Sequence, residues 1–503
     1  MMTRKFHMVL LICVSTSLLI GPMALATDLV HFATGYKIGE VTQSAAVIWT
    51  RLTAEPERNW QGIIAKPHES PTRVITEIPE IPVHLWEGSA RGISGQVRVL
   101  VSPSPLFENA ITTAWEVALP EQDFTRQFTL KGLLPDTRYY LSVEGRANKN
   151  SPITRSATGS FNTAPDQEAI KSVWFAVSSC QMYAHRDHRE GFKIYQSMQR
   201  VYKSLPDFMI RAGDSVYYDR DNPRGKTVEL CRLHWQRHYS LPLLREFHFH
   251  VPTYWMKDDH DTFFDDCWRT YDAPWIAPLT FEQGESLFEE QTPSPQGNLR
   301  YRTVRWGKLV QVWMLESRSY RSSNDMPDGP DKSIWGSEQK AWLQRTLTES
   351  DATFKVIVNP TAIVGPDNPD QEDNHADAAF YHEGNAFRQW TRENNLAHLY
   401  IINGDRHWQY MSTDPKSGLR EFSCGPSSDM HVLKGPGYDV KYHSFYRTGG
   451  GFISVVVSQG EKKVLAKPQR IIVEETVPTI NFRFHDVDGN ILFEYRDTAL
   501  SLQ

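Results

Sequence analysis

Cysteine is scarce in this sequence, with five residues among 503 and none of them in a CxxC pair. This spacing argues against a zinc-knuckle framework. Cys13 lies in an apolar N-terminal run, which leaves Cys180, Cys231, Cys267 and Cys424 for the rest of the chain. Their spacing does not indicate which of them would form disulfides. The 15 Trp and 24 Phe residues supply enough apolar area for a large core without disulfides.

Long apolar runs are absent beyond residue 26, so no transmembrane segment is predicted there. The N-terminal run Met8–Ile20 follows Arg4 and Lys5 and precedes the small-x-small sequence Ala24–Ala26. This order is typical of a Sec-type secretion signal that comprises residues 1–26. We therefore expect an exported protein, periplasmic or extracellular.

An excess of positive charge is also absent, because the formal net charge is -6. Residues 1–26 carry two basic and no acidic side chains, so the chain without them has a net charge of -8. Such a protein gains no electrostatic help in binding nucleic acid, which is therefore not an expected partner. No repeat of fixed period is present, and the length predicts two or three domains.

The first domain is predicted over residues 28–166. The runs SAAVIWTRLT, VRVLVS, TAWEVAL and RQFTLKGL are short, rich in β-branched and aromatic residues, and separated by turn residues. This pattern favours an antiparallel β-sandwich of the fibronectin or immunoglobulin type. The sequence LLPDTRYYLSV resembles a tyrosine corner, in which the Tyr139 hydroxyl bonds back to the preceding chain.

A second domain is predicted over residues 170–503, where short apolar strands alternate with helical patterns. We expect strands at 174–177, 208–210, 252–256, 309–315, 354–358 and 398–402, and a helix over 337–347. The run FRFHDVDGNILFEY predicts a hairpin with a DG turn. Strands alternating with helices indicate an α/β (α+β) layered domain.

Metal-binding residue types follow several of these strands. In open α/β sheets, ligands bind at the carboxyl ends of the strands. Those ends carry a set of carboxylate, imidazole, thiol and phenol groups: Cys180, Asp214, Tyr217, Asp259, His260, Asp405 and His407. Any one of them alone is typical of a cap, a turn or the core. Together they predict a site for two or more cations, including a hard trivalent one, with Asp214 able to bridge two ions.

The motifs SSCQ, GDSVYYD, DDHD, GSEQKAWL and GDRH, in this order and behind a fibronectin-like module, resemble the PhoD-type alkaline phosphatases. The resemblance covers nearly the whole chain beyond residue 26. It implies a four-layer αββα metallophosphatase domain after the β-sandwich. It also implies an Fe(3+) ion held by the counterparts of Cys180, Asp214, Tyr217 and His407, and Ca(2+) that shares Asp214 and is held by the counterparts of Asp259 and Asp405.

The resemblance also implies catalytic residues. His260 corresponds to the histidine that faces the substrate in this superfamily and stabilises or protonates the leaving oxygen. Asp261 or Asp258 is expected to orient it, because a carboxylate partner sets the tautomer of a histidine. Arg318 and Arg321 lie in LESRSYRS, where many members read Leu-Asp-Thr-Arg-x-Tyr-Arg. Either arginine is suited to clamp a phosphate or to pair with acids such as Glu316 or Asp325.

Two further segments hold residues of the metal-binding types. The loop at 359–385 contains Asp373, Asn374, His375, His382 and Glu383, which either complete the calcium shell, read the leaving group or make ordinary polar contacts. The segment HRDHRE places His185 and His188 three residues apart, in a metal-binding spacing or a solvated turn. Trp408 either packs or walls the leaving-group pocket.

The predicted function is an exported, metal-dependent phosphoric ester hydrolase in which a metal-activated hydroxide attacks phosphorus. The substrate is a small-molecule or lipid phosphate ester. One alternative keeps the chemistry and changes the substrate to a diester, as in a phosphodiesterase or a phospholipase D-like enzyme. Another is a catalytically inactive, calcium-stabilised binding protein. A sulfatase-like role is chemically possible, although no motif supports it.

Overall fold

The computed structural model describes residues 29–64, 80–294, 300–376, 378–460, 462–466 and 472–499. The predicted secretion signal, residues 1–26, lies outside these ranges.

Short strands and tight turns make up the first part of the chain. A three-stranded antiparallel sheet has the order β1-β2-β6, and a second antiparallel sheet has the order β4-β3-β7-β8, with β5 paired to β3 and β9 to β7. These strands are β1 Tyr36–Gly39, β2 Ala45–Arg51, β3 Gly95–Ser102, β4 Ile111–Thr112, β5 Glu116–Ala118, β6 Thr125–Lys131, β7 Arg138–Arg146, β8 Thr154–Arg155 and β9 Gly159–Asn162.

The inward residues of both N-terminal sheets, such as Ile48, Val99 and Val143, belong to one hydrophobic cluster. The Tyr139 hydroxyl accepts a hydrogen bond of 2.9 Å from the amide of Leu134, which confirms the contact that the tyrosine-corner pattern predicts. That the two sheets form a fibronectin-type sandwich stays a prediction.

Helices and longer strands alternate in the rest of the chain. The helices are α1 Lys193–Val201, α2 Val228–Tyr239, α3 Pro242–His248, α4 Phe281–Gln291, α5 Gly336–Glu349 and α6 Tyr381–Glu393. The strands are β10 Val173–Ser178, β11 Phe208–Ala212, β12 Thr253–Met256, β13 Arg302–Trp306, β14 Val310–Met314, β15 Phe354–Asn359, β16 Leu399–Asn403, β17 Gln409–Thr413, β18 Arg420–Cys424, β19 His443–Arg447, β20 Phe452–Ser458, β21 Lys462–Ala466, β22 Ile472–Thr476, β23 Thr479–His485 and β24 Ile491–Thr498.

Two mixed sheets organise these elements. The six-stranded sheet has the order β12-β11-β10-β20-β23-β24, and its first three strands are parallel. The predicted DG-turn hairpin is β23 and β24, which extends this sheet to one edge. The seven-stranded sheet has the order β13-β14-β15-β16-β18-β17-β19, and β14, β15, β16 and β18 run parallel. A separate antiparallel pair is formed by β21 and β22.

The hydrophobic clusters define the layers. Residues of both large sheets, such as Ile210 and Val356, share one buried cluster, so these faces pack on each other. The opposite face of the six-stranded sheet packs with α1 to α4, for example Met209 with Trp235 in one cluster. The opposite face of the seven-stranded sheet packs with α5 and α6. The order is therefore helices, sheet, sheet and helices.

One buried lysine ties the N-terminal strands to these helices. The Lys37 ammonium lies 4.0 Å from the ring centroid of Trp49 and 3.9 Å from that of Tyr239. It also donates a hydrogen bond of 2.6 Å to the carbonyl of Gln291 at the end of α4. Aromatic faces attract a cation, and here they replace water around it. Burial nevertheless lowers the pKa of Lys37 well below its usual value.

The four cysteines within the described ranges are all buried and free of disulfides. No helix in this part of the chain has the length and apolar character needed to cross a bilayer.

Candidate metal centre

The predicted ligands lie just past the ends of four strands. Cys180 follows β10, Asp214 follows β11, Asp259 follows β12, and Asp405 follows β16. The first three strands are parallel neighbours, so their carboxyl ends meet at one rim. The end of β16 reaches the same rim from the second sheet, because the amide of Asp405 donates to Ser179 Oγ at 3.3 Å.

An uncommon backbone conformation orients three of these side chains toward the rim. Cys180, Asp214 and Asp405 all have positive φ, at 50°, 55° and 59°. This left-handed region is uncommon for residues other than glycine, and such strain concentrates at functional sites. Gly404 permits the close approach of the two sheets, since a Cβ there would lie 2.3 Å from the carbonyl oxygen of Ala212. Three separate strands therefore end in the same local conformation.

We call the resulting group of side chains the rim cluster: Cys180, Asp214, Tyr217, Asp258, Asp259, Asp405 and His407. The Cys180 thiol lies 3.4 Å from Asp214 Oδ2, and the Tyr217 hydroxyl lies 3.1 Å from the same oxygen. Donor atoms of Cys180, Asp214 and His407 all lie within 4.8 Å of one another. Asp214, Asp258 and Asp405 form a second such group. Asp214 belongs to both groups, which is the geometry that a bridging carboxylate requires.

The rim cluster carries acids in a setting that penalises their charged forms. Burial, and then the neighbouring Asp259, raise the pKa of Asp214 well above its usual value. Burial and the charge of Asp214 raise the pKa of the Cys180 thiol and of the Tyr217 phenol. For Asp259, burial is outweighed by the charges of Arg318 and His260, which hold its pKa below the usual value.

Some carboxylate oxygens in the rim cluster lack partners. Asp214 Oδ1 and Asp258 Oδ2 are buried and accept no hydrogen bond from the described residues. Buried polar atoms are normally paired, and a buried carboxylate is usually paired or binds a metal. The donor set therefore fits cations: sulfur, phenol, imidazole and carboxylate in one group, and carboxylates alone in the other. Asp258 joins this set, whereas the sequence analysis gave it only an orienting role.

The carboxylate that orients His260 differs from the expected one. Asp219 Oδ1 lies 2.8 Å from His260 Nδ1, and Asp219 is fully buried. Asp261 instead accepts the amides of Ser215 at 2.9 Å and of Asp258 at 2.7 Å, so it holds the loop backbone. Burial raises the pKa of Asp261 to about 7. The orienting role predicted for Asp261 or Asp258 is therefore wrong, because neither is the carboxylate that contacts the ring.

Arg318 is surrounded by acids and does not line the cleft described below. Its guanidinium contacts Asp258 at 2.5 Å and Asp373 at 3.2 Å, and it lies 3.7 Å from Asp259. Arg318 is fully buried, and its positive charge offsets the negative charge of the rim carboxylates on the side away from the cleft. Of the two predicted alternatives for Arg318, the ion pair is observed and the phosphate clamp is not, although its partners are not Glu316 or Asp325.

Arg321 and Glu316, from the same segment, also have partners other than those predicted. Arg321 donates to Asn324 Oδ1 at 2.6 Å, and its guanidinium lies over the ring of Phe380. Glu316 pairs with Lys257 at 2.7 Å and accepts the backbone amide of Arg318 at 2.9 Å. Both residues therefore support the loop that carries Arg318.

A histidine pair lies on the opposite side of the cluster. His431 Nε2 is 3.0 Å from the Tyr217 hydroxyl, and His431 Nδ1 is 2.8 Å from His185 Nδ1. The ring of His431 also lies 4.2 Å from that of His407. His185 therefore reaches the rim, whereas His188 is exposed on its turn. Sequence reasoning missed His431, which follows SCGPSSDM without a metal-ligand spacing.

The loop at 359–385 splits into two parts. Asp373 contacts both Arg318 and Arg406, and Asn374 donates to Asp367 Oδ2 at 2.7 Å, so this part supports the rim from outside. Arg406 also pairs with Asp367 and Asp405. No predicted contact of His382 with the rim is seen, since its amide binds Asp328 and its side chain lies on the exposed start of α6.

The other part of the loop forms what we call the Glu383 cluster: Ser333, Trp335, His375 and Glu383. Glu383 Oε2 lies 3.0 Å from His375 Nε2 and accepts the amide of Ile334 at 2.7 Å. Glu383 Oε1 accepts the Ser333 hydroxyl at 2.5 Å. The indole of Trp335 packs on the imidazole of His375 with a centroid distance of 4.3 Å. His375 and Glu383 therefore join α6 to the start of α5 rather than to the rim.

An open cleft of about 480 Å³ covers the rim cluster. Its wall includes His260 and the metal-ligand candidates Tyr217, Asp405 and His407. The remaining lining residues are Met182, His185, Arg220, Arg224, Asp265, Asp266, Asn368, Gln371, Arg406, Trp408, His431 and Leu433. Trp408 thus lies at the cleft, one of its two predicted positions. Sequence reasoning missed Arg220, Arg224 and Asp265, because charged residues in loops carry no pattern that separates a pocket from the surface.

Comparison with known proteins places this site in a family. The model of PhoD-like phosphatases matches residues 175–442, and the model of the N-terminal domain of PhoD-like phosphatases matches residues 21–165. The chain belongs to the PhoD-like phosphatase family. The first match contains every member of the rim cluster.

One curated relative and two solved structures illustrate the similarity. Alkaline phosphatase D of Bacillus subtilis (strain 168) is 23% identical over 371 residues, which is 65% of this chain and 55% of that protein. The chain thus spans little more than half the length of that relative in the match. The solved structure of PhoD gives a TM-score of 0.68 at 17% identity, covering 93% of this chain and 89% of that one. The purple acid phosphatase PPD1 from yellow lupin (Lupinus luteus) seeds gives 0.57 at 9% identity, covering 92% and 73%. The two structural likenesses establish a mixed α/β fold of the metallophosphatase kind.

Proposed function

We propose that this protein is a metal-dependent hydrolase of phosphoric esters. The observation that carries the proposal is Asp214, a buried carboxylate that belongs to both donor groups and has one oxygen without a hydrogen-bond partner. Membership of the PhoD-like phosphatase family supports it. The substrate is a phosphate ester that enters the cleft above the rim cluster.

The donor groups favour two kinds of cation. Thiol, phenol, imidazole and carboxylate from Cys180, Tyr217, His407 and Asp214 suit Fe(3+). The second group, Asp214, Asp258 and Asp405, offers carboxylate oxygens alone, which suits Ca(2+). The resemblance adds Asp259 to these ligands, and Asp259 lies in another donor group with Asp214 and His260. Cations in these positions would supply an activated water nucleophile and would neutralise charge on the phosphoryl oxygens.

His260 has the role of general acid in this proposal. Its Nδ1 is held by Asp219 at 2.8 Å, and the ring lines the cleft, where Asp265 Oδ1 lies 3.4 Å from Nε2. Burial opposes the charged form, but Asp219, Asp259 and Asp214 outweigh it and raise the pKa of His260 well above its usual value. With Nδ1 fixed by Asp219, Nε2 is the atom from which a proton would pass to the departing alkoxide.

The proposal extends to the organisation of the chain. We infer a secretion signal over residues 1–26, a fibronectin-type sandwich over 28–166 and a catalytic domain over 170–503. The two antiparallel N-terminal sheets and the match of the N-terminal family model to residues 21–165 support the range 28–166. From the secretion signal we infer a periplasmic or extracellular protein.

The test compares hydrolysis of an aryl phosphate monoester and a bis-aryl phosphate diester by the purified protein. Each rate is measured with calcium and iron supplied and again after chelation. A chelator-sensitive rate on either ester is expected, and the ratio of the two rates distinguishes a phosphatase from a diesterase. Metal-loaded protein that hydrolyses neither ester would instead support the inactive, calcium-stabilised binding protein.

A further inference from the structure

Three arginines line the cleft, and they differ in how firmly they are held. Arg406 is paired with Asp367, Asp373 and Asp405, and its side chain is only 4% exposed. Arg224 is buried. The side chain of Arg220 is 32% exposed, so it is the cleft arginine with the greatest access to solvent among the described residues.

The partner of Arg220 lies at the same surface. Arg220 Nη2 contacts Asp265 Oδ2 at 2.5 Å, and the side chain of Asp265 is 40% exposed. The other oxygen, Asp265 Oδ1, is 3.4 Å from His260 Nε2. One carboxylate thus occupies the space between a guanidinium and the imidazole atom that faces the cleft.

The opposite sides of these two groups are fixed by a second acid. Asp219 is fully buried and holds His260 Nδ1 at 2.8 Å, while its other oxygen lies 3.7 Å from Arg220 Nε. Asp219 Oδ2 also accepts the amide of Asp265 at 3.1 Å. Arg220 and His260 therefore share the buried Asp219 on one side. On the cleft side they share Asp265, whose side chain reaches solvent.

We propose that Arg220 binds a non-bridging oxygen of the phosphoryl group, and that Asp265 occupies this oxygen position until the substrate displaces its side chain into solvent. This inference rests on the proposed function. A planar guanidinium binds phosphate oxygens with two parallel hydrogen bonds, which favours Arg220 over a point charge. A carboxylate and a phosphate present similar pairs of anionic oxygens, so they compete for the same donors.

The competition makes two opposite variants informative. Inorganic phosphate is the probe, and its dissociation constant is measured by titration calorimetry on the metal-loaded, full-length protein. Asp265→Asn removes the competing charge, so phosphate should bind about three- to tenfold more tightly. Arg220→Gln removes a charge-assisted contact, so phosphate should bind at least about tenfold more weakly. In the double variant, the gain from Asp265→Asn should disappear, because Arg220 is the group that it exposes.

Arg91→Gln is the matched control, since Arg91 also pairs with an exposed carboxylate, Glu55 at 2.6 Å, but does not line the cleft. Metal content is measured for every variant and should match that of the unaltered protein. Loss of metal from Asp265→Asn would overturn the inference and assign Asp265 to the metal site. It is equally overturned if Asp265→Asn leaves phosphate affinity unchanged, or if its gain persists without Arg220.

Ester hydrolysis by the unaltered protein separates the two levels of the argument. If the unaltered protein hydrolyses esters but Arg220→Gln leaves phosphate affinity unchanged, the inference is wrong and the proposed function stands. Absence of both turnover and phosphate binding in metal-loaded protein defeats the proposed function as well. Turnover with an Arg220-dependent dissociation constant supports both.

Discussion

The rim cluster and the Glu383 cluster are two buried groups of acids and histidines whose hydrogen bonding is opposite. In the Glu383 cluster, both carboxylate oxygens accept hydrogen bonds from described neighbours. In the rim cluster, Asp214 and Asp258 each keep one buried oxygen without a hydrogen bond. The carboxylate of Glu383 is therefore satisfied by the protein, whereas those of Asp214 and Asp258 are not.

The charge balance differs in the same direction. Burial raises the pKa of Glu383, but its bonds to His375 and Ser333 outweigh this and lower the pKa to about 2. Burial and the neighbouring acid raise the pKa of Asp214. The protein thus stabilises the anionic form of Glu383 and disfavours that of Asp214. The buried oxygens without hydrogen bonds, together with the donor groups around Asp214, distinguish the rim cluster from the Glu383 cluster.

The largest expected effect is that of Asp214→Asn. The amide keeps the shape but removes the charge shared by both donor groups, so the variant should lose bound metal. Ester hydrolysis should fall at least about a hundredfold, because metal stabilisation of the transition state amounts to several kcal/mol. Elemental analysis and hydrolysis rates check both points, with circular dichroism to show that the fold persists. Full activity in this variant would contradict the assignment of the rim cluster.

Glu383→Gln is the counterpart on the other side of the comparison. The amide removes the charge of a buried carboxylate that accepts hydrogen bonds from Ser333, Ile334 and His375, so the free energy of unfolding should fall by about 1.5–3 kcal/mol. Metal content and turnover per folded molecule should remain as in the unaltered protein. Urea unfolding and elemental analysis provide the measurement. Metal loss without a change in stability would place Glu383 at the metal site instead.

His431→Ala should have a smaller effect, confined to metal binding. His431 lies 3.0 Å from the Tyr217 hydroxyl, and removing a group that supports a ligand costs about 10- to 100-fold in metal affinity. The affinity is measured by competition with a chelator of known strength. His188→Ala is the control, because His188 is exposed on the same turn as His185. Equal affinities in the two variants would remove His431 from the site.

The smallest expected effect concerns the pH dependence of the metal-free protein. The pKa of Asp261 rises from 3.8 to about 7 through burial, opposed by two backbone amides. Between these values the folded state binds more protons than the unfolded state, so this contribution to stability is lost as pH rises from about 4 to 7. Asp261→Asn should therefore show a shallower decline in unfolding free energy over this range. Urea unfolding in chelator at several pH values tests it, and an unchanged slope would show that Asp261 does not titrate there.

Much of the catalytic architecture follows from local patterns. The apolar run at 174–177 is β10, the run at 398–402 is β16 one residue shifted, and the helix expected over 337–347 is α5. Residues after such strands were predicted to converge because parallel strands share a carboxyl end, and Cys180, Asp214, Asp259 and His407 do lie in shared donor groups. The spacing of apolar residues depends only on neighbouring positions in the chain, so helices and strands can be predicted from the sequence.

The partners of the site residues were predicted less well. Asp219 lies 41 positions from His260 and is the last residue of the motif GDSVYYD, while Asp261 beside His260 offered a simpler partner. His431 lies 214 positions from Tyr217 and belongs to a turn sequence without spacing. Arg318 was predicted either to clamp a phosphate or to pair with acids such as Glu316 or Asp325, and the three acids that surround it come from other segments.

The amino-acid sequence by itself determined which chemical groups follow which strands. Thiol, carboxylate and imidazole side chains come directly after apolar strands, with polar loops between them. Which of these groups share an environment was decided only when the two sheets met. Gly404 brings the end of β16 against β10 and β11, and that contact places carboxylates from separate segments in one buried volume. The pairing of a buried charge depends on every group within a few ångströms, and those groups are distant in the chain. Tertiary packing therefore satisfied both carboxylate oxygens of Glu383 and left one buried oxygen of Asp214 without a hydrogen bond from the described residues.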